Sequence, residues 1–215
     1  MVYDKIILGG KMRIKDMKQA VRLLEEEWDL GELESGAPKH LCAWIYLIDL
    51  LQETEKCAYY KENGKLLGFC GYSNNKSKKY FLRKKFYSML RKILFKSKKI
   101  KDVKALEKYY DNYWYVPKKY QDYFDGEISM LILDKKLRGK GIGKELLRTV
   151  FEYAKKDGMK NLQILTDESC NFYIYESLGC KKIYETEVES MEYGRKRNST
   201  KEKAYIYEKV LKEYK

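Results

Sequence analysis

The stretch Leu137–Leu147, LRGKGIGKELL, carries three glycines at alternate positions between a basic residue and an apolar helical pattern. Glycine is unfavourable inside a helix, so glycines at a helix start indicate a backbone that something must approach closely. The strand-like run EISMLILD precedes the stretch at 127–134, and a helical pattern follows it at 142–158. The N-terminus of a helix carries about half a positive charge and free N–H groups, which together bind phosphates. The stretch therefore predicts a phosphate site, and a pyrophosphate is its natural occupant.

The glycine spacing excludes two common phosphate-binding loops. A Walker A loop has Ser or Thr after its Gly-Lys pair, whereas Gly143-Lys144 is followed by Glu145. A Rossmann fingerprint reads G-x-G-x-x-G, whereas these glycines fall as G-x-G-x-G. The pattern that fits is R-x-x-G-x-G, formed by Arg138, Gly141 and Gly143.

This pattern resembles the [RQ]-x-x-G-x-[GA] motif of the GNAT superfamily of acyl-CoA-dependent N-acyltransferases, which lies between their fourth strand and the following helix. Downstream, Tyr175–Gly179 reads YESLG and is similar to the family's [FY]-Y-E-x-L-G-F segment, with departures at Ile174 and Cys180 that concern packing. The resemblance is strong over 127–184, extends to the N-terminal half by element order only, and does not cover 74–125. It implies an α/β fold with a mixed, mostly antiparallel sheet, splayed central strands and flanking helices.

Hydrophobic periodicity predicts a single domain over residues 1–215 with a basic helical insertion at about 74–125. The Asn63-Gly64 pair predicts a tight hairpin turn, because both residues tolerate positive φ angles. The other predicted elements are a strand at 3–10, helices at 16–28 and 39–52, a helix at 103–113, a strand at 162–167, a short helix at 170–179 and strands at 180–194 and 204–211.

The resemblance also implies catalytic roles. Tyr175 matches a tyrosine that lies near the thioester sulfur and serves as general acid; a phenol is protonated at neutral pH and can donate to a departing thiolate. Glu127 matches a glutamate that deprotonates the amine in the histone-acetyltransferase branch. Asp167, Glu168 and a chain of water molecules stay open as alternatives for this base.

By the same resemblance, acetyl-CoA is the acyl donor, no metal is needed, and three groups of residues bind the donor. Backbone groups of the fourth strand bind pantetheine, the glycine loop binds pyrophosphate, and a polar residue near the next helix contacts pantetheine or phosphate. The strand residues are Leu131, Ile132 and Leu133. The loop residues are Arg138, Gly139, Lys140, Gly141, Ile142, Gly143 and Lys144, and the polar residue is Asn171. Gly139 is interpreted as spacing, whereas a Cβ at Gly141 or Gly143 would displace the pyrophosphate.

Cysteine and histidine usage restricts the chemistry further. The five cysteines form no C-x-x-C pair, which favours reduced, mostly buried thiols and a cytoplasmic location. A single histidine, His40, excludes a histidine-rich metal site and is expected at a helix start. Cys170 has no histidine to activate it, so we expect direct transfer to the amine and no acyl-enzyme. No apolar run reaches the roughly 18 to 20 residues that a membrane span requires.

The net charge of +13 is concentrated in one segment. Residues 76–104 contain 13 Lys/Arg and one acid, which gives +12 and leaves +1 for the rest of the chain. Three interpretations stay open: a helix that packs its apolar face on the domain, a contact with nucleic acid, a ribosome or anionic lipid, and a border of the acceptor pocket.

The sequence thus favours an N-acetyltransferase that transfers acetyl directly from acetyl-CoA to a primary amine of an acceptor it does not identify. The alternative is a non-catalytic acyl-CoA-binding or nucleic-acid-associated module that uses the basic insertion. A nucleic-acid partner is the less favoured possibility, and the chain is compatible with a monomer or a homodimer.

Overall fold

The computed structural model describes residues 7–9, 12–28, 30, 35–77, 81–111, 116–189 and 201–211. Two short 3-10 turns lie at Lys118–Tyr120 and Lys135–Leu137. The helices and strands, in chain order, are β1 (Ile7–Gly9), α1 (Ile14–Glu27), α2 (Lys39–Glu53), β2 (Thr54–Glu62), β3 (Lys65–Asn74), α3 (Phe81–Phe95), α4 (Val103–Asp111), β4 (Gly126–Leu133), α5 (Ile142–Lys156), β5 (Asn161–Asp167), α6 (Tyr173–Glu176), β6 (Lys181–Glu189) and β7 (Lys201–Val210).

One seven-stranded sheet, in the order β1-β2-β3-β4-β5-β7-β6, organises the described residues. All neighbouring strands are antiparallel except β4 and β5, which are parallel. The predicted mixed, mostly antiparallel α/β fold is confirmed. The predicted strand and helix segments at 3–6, 10, 112–113 and 190–194 lie outside the described residues.

The hairpin between β2 and β3 turns where the sequence predicts it. Asn63 has φ 50° and Gly64 has φ 72°, both in the left-handed region. Asparagine and glycine adopt this region at low cost, so the pair closes the tight turn between the strands.

Apolar side chains form a core on each face of the sheet. On one face α1 and α2 pack with Met130 and Ile132 of β4. On the other face α5 packs with Ile128 of the same strand. Helices α1, α2 and α5 each carry apolar residues at helical spacing. Each helix can therefore lie flat on the sheet with its apolar face against the strands.

A β-bulge in β4 changes which side chains face which layer. Gly71 of β3 is opposite Met130 and the next residue of β3, Tyr72, is opposite Ile128, so Ser129 is the extra residue. Ile128 therefore faces α5, while Met130, only two residues away, packs in the α1–α2 layer. Because side chains alternate along a strand, Glu127 faces the α1–α2 layer, opposite to its neighbour Ile128.

The basic insertion leaves the sheet and returns to it at one point. Asn74 at the end of β3 pairs with Gly126 at the start of β4, and Asn75 N donates to the Asp125 carbonyl at 2.9 Å. Between these positions the insertion contributes α3 and α4. The sheet is thus continuous across the insertion.

Helix α3 packs on α2 through ion pairs and a narrow apolar face. Lys84 Nζ lies 2.6 Å from Glu53 Oε2, and Arg91 Nε lies 2.5 Å from Asp49 Oδ1. Tyr87 is buried in the α1–α2 core. The other buried residue of α3 is Phe95, whereas Phe86, Met89 and Ile93 of the same helix are at least half exposed. Leu90 and Leu94 also pack against this core, so the helix places part of its apolar residues on the domain and leaves the others exposed.

Candidate active site

Strands β4 and β5 separate soon after they begin. Their parallel pairing is confined to Gly126 with Leu162 and Glu127 with Gln163. Beyond these pairs, β4 stays paired with β3 and β5 stays paired with β7. The facing edges of the two strands thus offer backbone N–H and C=O groups to a bound molecule. The candidate pantetheine-binding residues Leu131, Ile132 and Leu133 lie in this separated part of β4.

The loop before α5 is held open by two glycines in left-handed conformations. Gly139 has φ 77° and Gly141, which caps α5, has φ 78°. A Cβ built on either residue would meet no atom within 4 Å, so the space over the loop is free of protein. The left-handed conformation of Gly139 itself favours glycine, so an interpretation as spacing does not account for the residue type at this position.

Gly143 is a glycine for a different reason. It lies in the first turn of α5, and a Cβ there would lie 3.1 Å from Cδ1 of Ile174. Such a distance is tighter than ordinary van der Waals contact, so the absent side chain lets α6 approach the start of α5. Ile174 immediately precedes Tyr175, so this contact joins the glycine loop to the helix that carries the candidate general acid.

Arg138 anchors the loop to the far end of α1. Its guanidinium forms an ion pair with Glu27, whose side chain is only 6% exposed, while that of Arg138 is 58% exposed. Lys135 Nζ adds a bond to the Glu26 carbonyl at 3.2 Å. No local sequence pattern points to Glu27, because it lies far from Arg138 in the chain.

The remaining loop residues flank the start of α5. Lys140 is exposed, Lys144 is half-buried, and Ile142 is buried in the core beneath the helix. The lysines add positive charge beside the first N–H groups of α5, which have no carbonyl partners within the helix. This arrangement fits a pyrophosphate, and the open space over Gly139 and Gly141 leaves room for one.

Glu127 occupies a position that favours its neutral form. Burial raises its pKa to about 7, and the nearby carboxylate of Glu53 at the end of α2 adds to the rise. The carboxyl group therefore exchanges a proton near neutral pH, as an acid–base catalyst requires.

Tyr175 is the buried residue of the short helix α6. Its side chain is 8% exposed, and its ring centroid lies 5.8 Å from that of Tyr207. Burial raises the pKa of its hydroxyl, and the nearby Cys170 and Asp167 act in the same direction. Tyr175 thus keeps its proton throughout the physiological pH range.

Tyr46 of α2 also belongs to this region, although the sequence did not point to it. Burial raises the pKa of Tyr46, and both Cys170 and Glu127 are close enough to contribute to the rise. Its ring packs edge-on against Trp28, with centroids 6.0 Å apart. The phenol thus lies near both the start of β4 and the turn that follows β5. A tyrosine in an apolar helical pattern carries no local signal of such a position.

The turn after β5 accounts for the other candidate carboxylates. Asp167 Oδ1 accepts hydrogen bonds from Ser169 N at 2.9 Å, Ser169 Oγ at 2.5 Å and Cys170 N at 3.1 Å. Glu168 is exposed. Asp167 is therefore engaged in shaping the turn.

Two residues of this turn complete the set. Burial raises the pKa of the Cys170 thiol to about 11, with Asp167 as the next cause, so the thiol is protonated at neutral pH. Asn171 is exposed, and its carbonyl accepts from Ile174 N at 3.3 Å at the start of α6.

The histidine and the cysteines lie where the sequence predicts. His40 is in the first turn of α2, with Nδ1 2.9 Å from Glu25 Oε1, and its Nε2 accepts from Trp44 Nε1 at 3.1 Å. All five cysteines are free, and four of them are buried. Within the described ranges, no cluster of His, Cys, Asp or Glu could hold a metal ion. No helix in the same part of the chain is long and apolar enough to cross a membrane.

Comparison with known proteins agrees with this architecture. Among curated proteins, none matches the sequence. Among solved structures, an N-acetyltransferase from Staphylococcus aureus Mu50 is similar at 16% identity, with 97% of this chain and 100% of that chain covered and a TM-score of 0.55. Arylalkylamine N-acetyltransferase 2 from Aedes aegypti gives 17% identity, 97% and 100% coverage and a TM-score of 0.56. The yncA structure from Salmonella typhimurium, which includes its cofactor acetyl-CoA, gives 13% identity, 97% and 95% coverage and a TM-score of 0.54.

At these identities the solved structures support the fold. The family follows from the sequence itself, because the profile of the Acetyltransferase (GNAT) family matches residues 17–180, more than half of the chain. The match spans the separated strands, the glycine loop and the helix that carries Tyr175. The chain therefore belongs to the GNAT family of acetyltransferases and is an acyltransferase.

Proposed function

We propose that this enzyme transfers the acetyl group of acetyl-CoA directly to a primary amine, with Glu127 as general base and Tyr175 as general acid. The observation that carries the proposal is the separation of β4 and β5 immediately beyond Glu127. It leaves a slot with a proton acceptor at its base and with the glycine loop beyond the far end of β4.

The donor supplies an activated acyl group, and the protein supplies its orientation. The free edge of β4 at Leu131–Leu133 would pair with pantetheine as a further strand would. The loop from Arg138 to Lys144 would hold the pyrophosphate through backbone N–H groups. Both interactions use the backbone, which is why the pattern of glycines matters more than the identity of most side chains.

Glu127 would take the proton that the amine loses. An alkylammonium group cannot attack a carbonyl carbon, and a base with a pKa near the working pH is the most effective at removing its proton. The pKa of Glu127, about 7, meets this condition. Asp167 is the weaker candidate, because its carboxylate already accepts three hydrogen bonds from its own turn.

Tyr175 would supply the proton that the departing sulfur gains. As the new C–N bond forms, the C–S bond breaks and the sulfur becomes negatively charged. A phenol held in its neutral form next to the sulfur would donate its proton to that charge, so that CoA leaves as a thiol, and the phenolate would then regain a proton from solvent.

Direct transfer is supported by the state of Cys170. Its thiol has a pKa of about 11, so almost none of it is the thiolate that could attack a thioester at neutral pH. Incubation of the enzyme with acetyl-CoA alone, followed by mass spectrometry, should give no acetyl-Cys170. Rapid acetylation of Cys170 that an added amine discharges would overturn direct transfer.

The proposed function is tested by measuring release of free CoA thiol across a panel of primary amines: small amines, amino acids, aminoglycoside antibiotics and peptides with free N-termini or lysines. We expect at least one class to give turnover and an N-acetylated product. Acetyl-CoA alone should raise the Tm, because a ligand that binds only the folded state stabilises it. Failure of both the thermal shift and turnover would contradict the proposal. A thermal shift with no turnover on any amine class would favour a non-catalytic acyl-CoA-binding module.

A further inference from the structure

Helix α3 presents an apolar stripe to the solvent. Leu82 is 80% exposed, Phe86 50%, Met89 52% and Ile93 57%. These residues follow one another at intervals of four, three and four, so at 100° per residue they point within about 60° of one another. The stripe is defined here as Leu82, Phe86, Met89 and Ile93.

The stripe lies on the side of α3 that faces away from the domain. Tyr87 and Phe95, the buried residues of the helix, are on the roughly opposite side of the helical wheel. The pairs Lys84–Glu53 and Arg91–Asp49 also hold that side against α2. Leu90 and Leu94 also pack against the α1–α2 core, so the helix is held by ion pairs, aromatic residues and part of its apolar face, while the stripe stays exposed.

Basic side chains border the stripe. Lys85 and Lys92 are exposed and lie along one edge of it at 20–40° from Phe81, in steps of about 100° per residue, and the exposed Lys96 follows the end of the helix. From Phe81 to Lys96 there are six Lys/Arg and no acid. Lys84 and Arg91 are paired with Glu53 and Asp49, so the surface combines exposed aliphatic and aromatic groups with a row of exposed lysines along one edge.

We propose that the stripe of α3 and its lysine border form a docking surface for an anionic lipid bilayer, on which α3 lies parallel to the membrane plane. A bilayer with anionic headgroups satisfies both parts of the surface. The apolar side chains enter the boundary between headgroups and acyl chains, while the lysines reach up to the phosphates. Such an interfacial helix lies on the membrane and does not cross it.

Charge and shape disfavour the other occupants. A second copy of this chain would bring the exposed lysines of two identical helices together, and neither helix has an acidic side chain between Phe81 and Lys96 to pair with them. A nucleic acid would place phosphates or bases against Leu82 and Ile93, which can neither pair with a phosphate nor stack on a base. Neither partner uses the aliphatic centre and the basic edge together.

The docking surface is connected to the candidate active site through α2. Glu53, which pairs with Lys84 of α3, is also the carboxylate that adds to the raised pKa of Glu127. Membrane binding would therefore hold the α2 side of the candidate active site at a fixed distance from the lipid surface. The proposal itself does not depend on the acceptor or on the catalytic residues.

The test is flotation of the full chain with vesicles of phosphatidylcholine, or of phosphatidylcholine with phosphatidylglycerol at 3:1, at two salt concentrations. We expect binding to the anionic vesicles only, with an affinity that falls as salt rises because the charges become screened. The variant Leu82→Gln/Ile93→Gln should bind at least about tenfold more weakly, because two buried aliphatic side chains are lost. The control Ile14→Gln, which removes a 73% exposed isoleucine from α1, should bind as the parent does.

A second pair of variants tests the basic border. Lys85→Gln/Lys92→Gln should lower the affinity for anionic vesicles by about 30-fold, as two lysines near a charged surface predict. Lys155→Gln/Lys156→Gln makes the same charge change at exposed positions of α5 and should have little effect. All the substitutions are at the surface, and an unchanged Tm verifies that each variant folds.

Three results would overturn the proposal. The first is absence of binding to the anionic vesicles at low salt. The second is equal binding by Leu82→Gln/Ile93→Gln and the Ile14→Gln control. The third is a dimer in solution that Leu82→Gln/Ile93→Gln dissociates, because the stripe would then be covered by a second copy.

Discussion

Gly143 and Ile174 are in direct packing contact: a Cβ added to Gly143 would lie 3.1 Å from Cδ1 of Ile174. The first residue belongs to the turn that would bind pyrophosphate, and the second precedes Tyr175 on α6. The glycine loop and the helix that carries the candidate general acid are therefore positioned by one contact. A substitution at either residue should shift the other.

We predict that Gly143→Ala lowers kcat/KM by about tenfold, because a shift of a few tenths of an ångström at Ile174 displaces Tyr175. The double variant Gly143→Ala/Ile174→Val should recover most of the activity, since valine lacks the Cδ1 atom that a new Cβ would meet. Ile174→Val alone is the control and should cost about 1 kcal/mol in stability at most. If the double variant is as impaired as Gly143→Ala, the effect arises at the pyrophosphate and not at Ile174.

Gly141 allows stability and donor binding to be separated. Alanine at φ 78° should destabilise the protein by roughly 1–2 kcal/mol through backbone strain. Gly64→Ala is a matched control, because this glycine has φ 72° and equally open surroundings but lies in a remote hairpin. Both variants should lower the Tm similarly, and only Gly141→Ala should raise the KM for acetyl-CoA. An equal KM in the two variants would remove Gly141 from the donor site.

The pH dependence of catalysis should report Glu127. If this residue is the base, kcat/KM rises with pH through about 7, the pKa of its carboxyl group, and then levels off. Glu53→Gln should move this rise to lower pH, because it removes the second cause of the raised pKa. Glu127→Gln should abolish the rise, and the measurement is the pH profile of kcat/KM for acetyl-CoA at a saturating concentration of the amine. A profile that keeps its midpoint in both variants would point to another base.

The free energy of unfolding should also depend on pH through the raised pKa of Glu127. The folded-state pKa of Glu127, about 7, lies above the ordinary value of 4.5, so the folded state holds this proton more tightly. The contribution to stability is complete below about pH 4.5 and is lost as pH rises to about 7. Relative to the parent, Glu127→Gln should therefore gain stability at pH 8 and not at pH 4, as measured by urea unfolding. An equal effect at both pH values would show that Glu127 ionises normally in the folded protein.

Replacement of Tyr175 by phenylalanine should lower kcat by about 100-fold or more and leave the KM for acetyl-CoA nearly unchanged, because only the proton donor is lost. Tyr173→Phe is the control, since Tyr173 lies on the same helix with 66% of its side chain exposed. Steady-state kinetics with both variants distinguishes the two residues. Unchanged turnover in Tyr175→Phe would show that the sulfur leaves without help from this phenol.

Several features followed from sequence because they are local. The glycine loop, the helix that follows it and the Asn63-Gly64 turn depend on conformations that neighbouring residues specify. The match of residues 17–180 to the GNAT family agrees with the resemblance that these short motifs indicate. Glycine permits the positive φ angle of residue 139, although the sequence pattern alone did not show that the loop adopts this conformation there.

The chemistry of the candidate site was decided by the tertiary structure, because pairwise contacts between distant segments set it. The bulge at Ser129 turns Glu127 toward α2, and there burial and Glu53 raise its pKa. Tyr46 joins the site because α2 lies against the sheet, and Glu27 anchors Arg138 because α1 ends beside the loop. Helix α3 gives the clearest contrast. Its sequence determined an amphipathic helix, but only the tertiary structure decided which apolar residues face outward. Ion pairs with Asp49 and Glu53 and the packing of Tyr87, Leu90 and Leu94 on the core fix the other side.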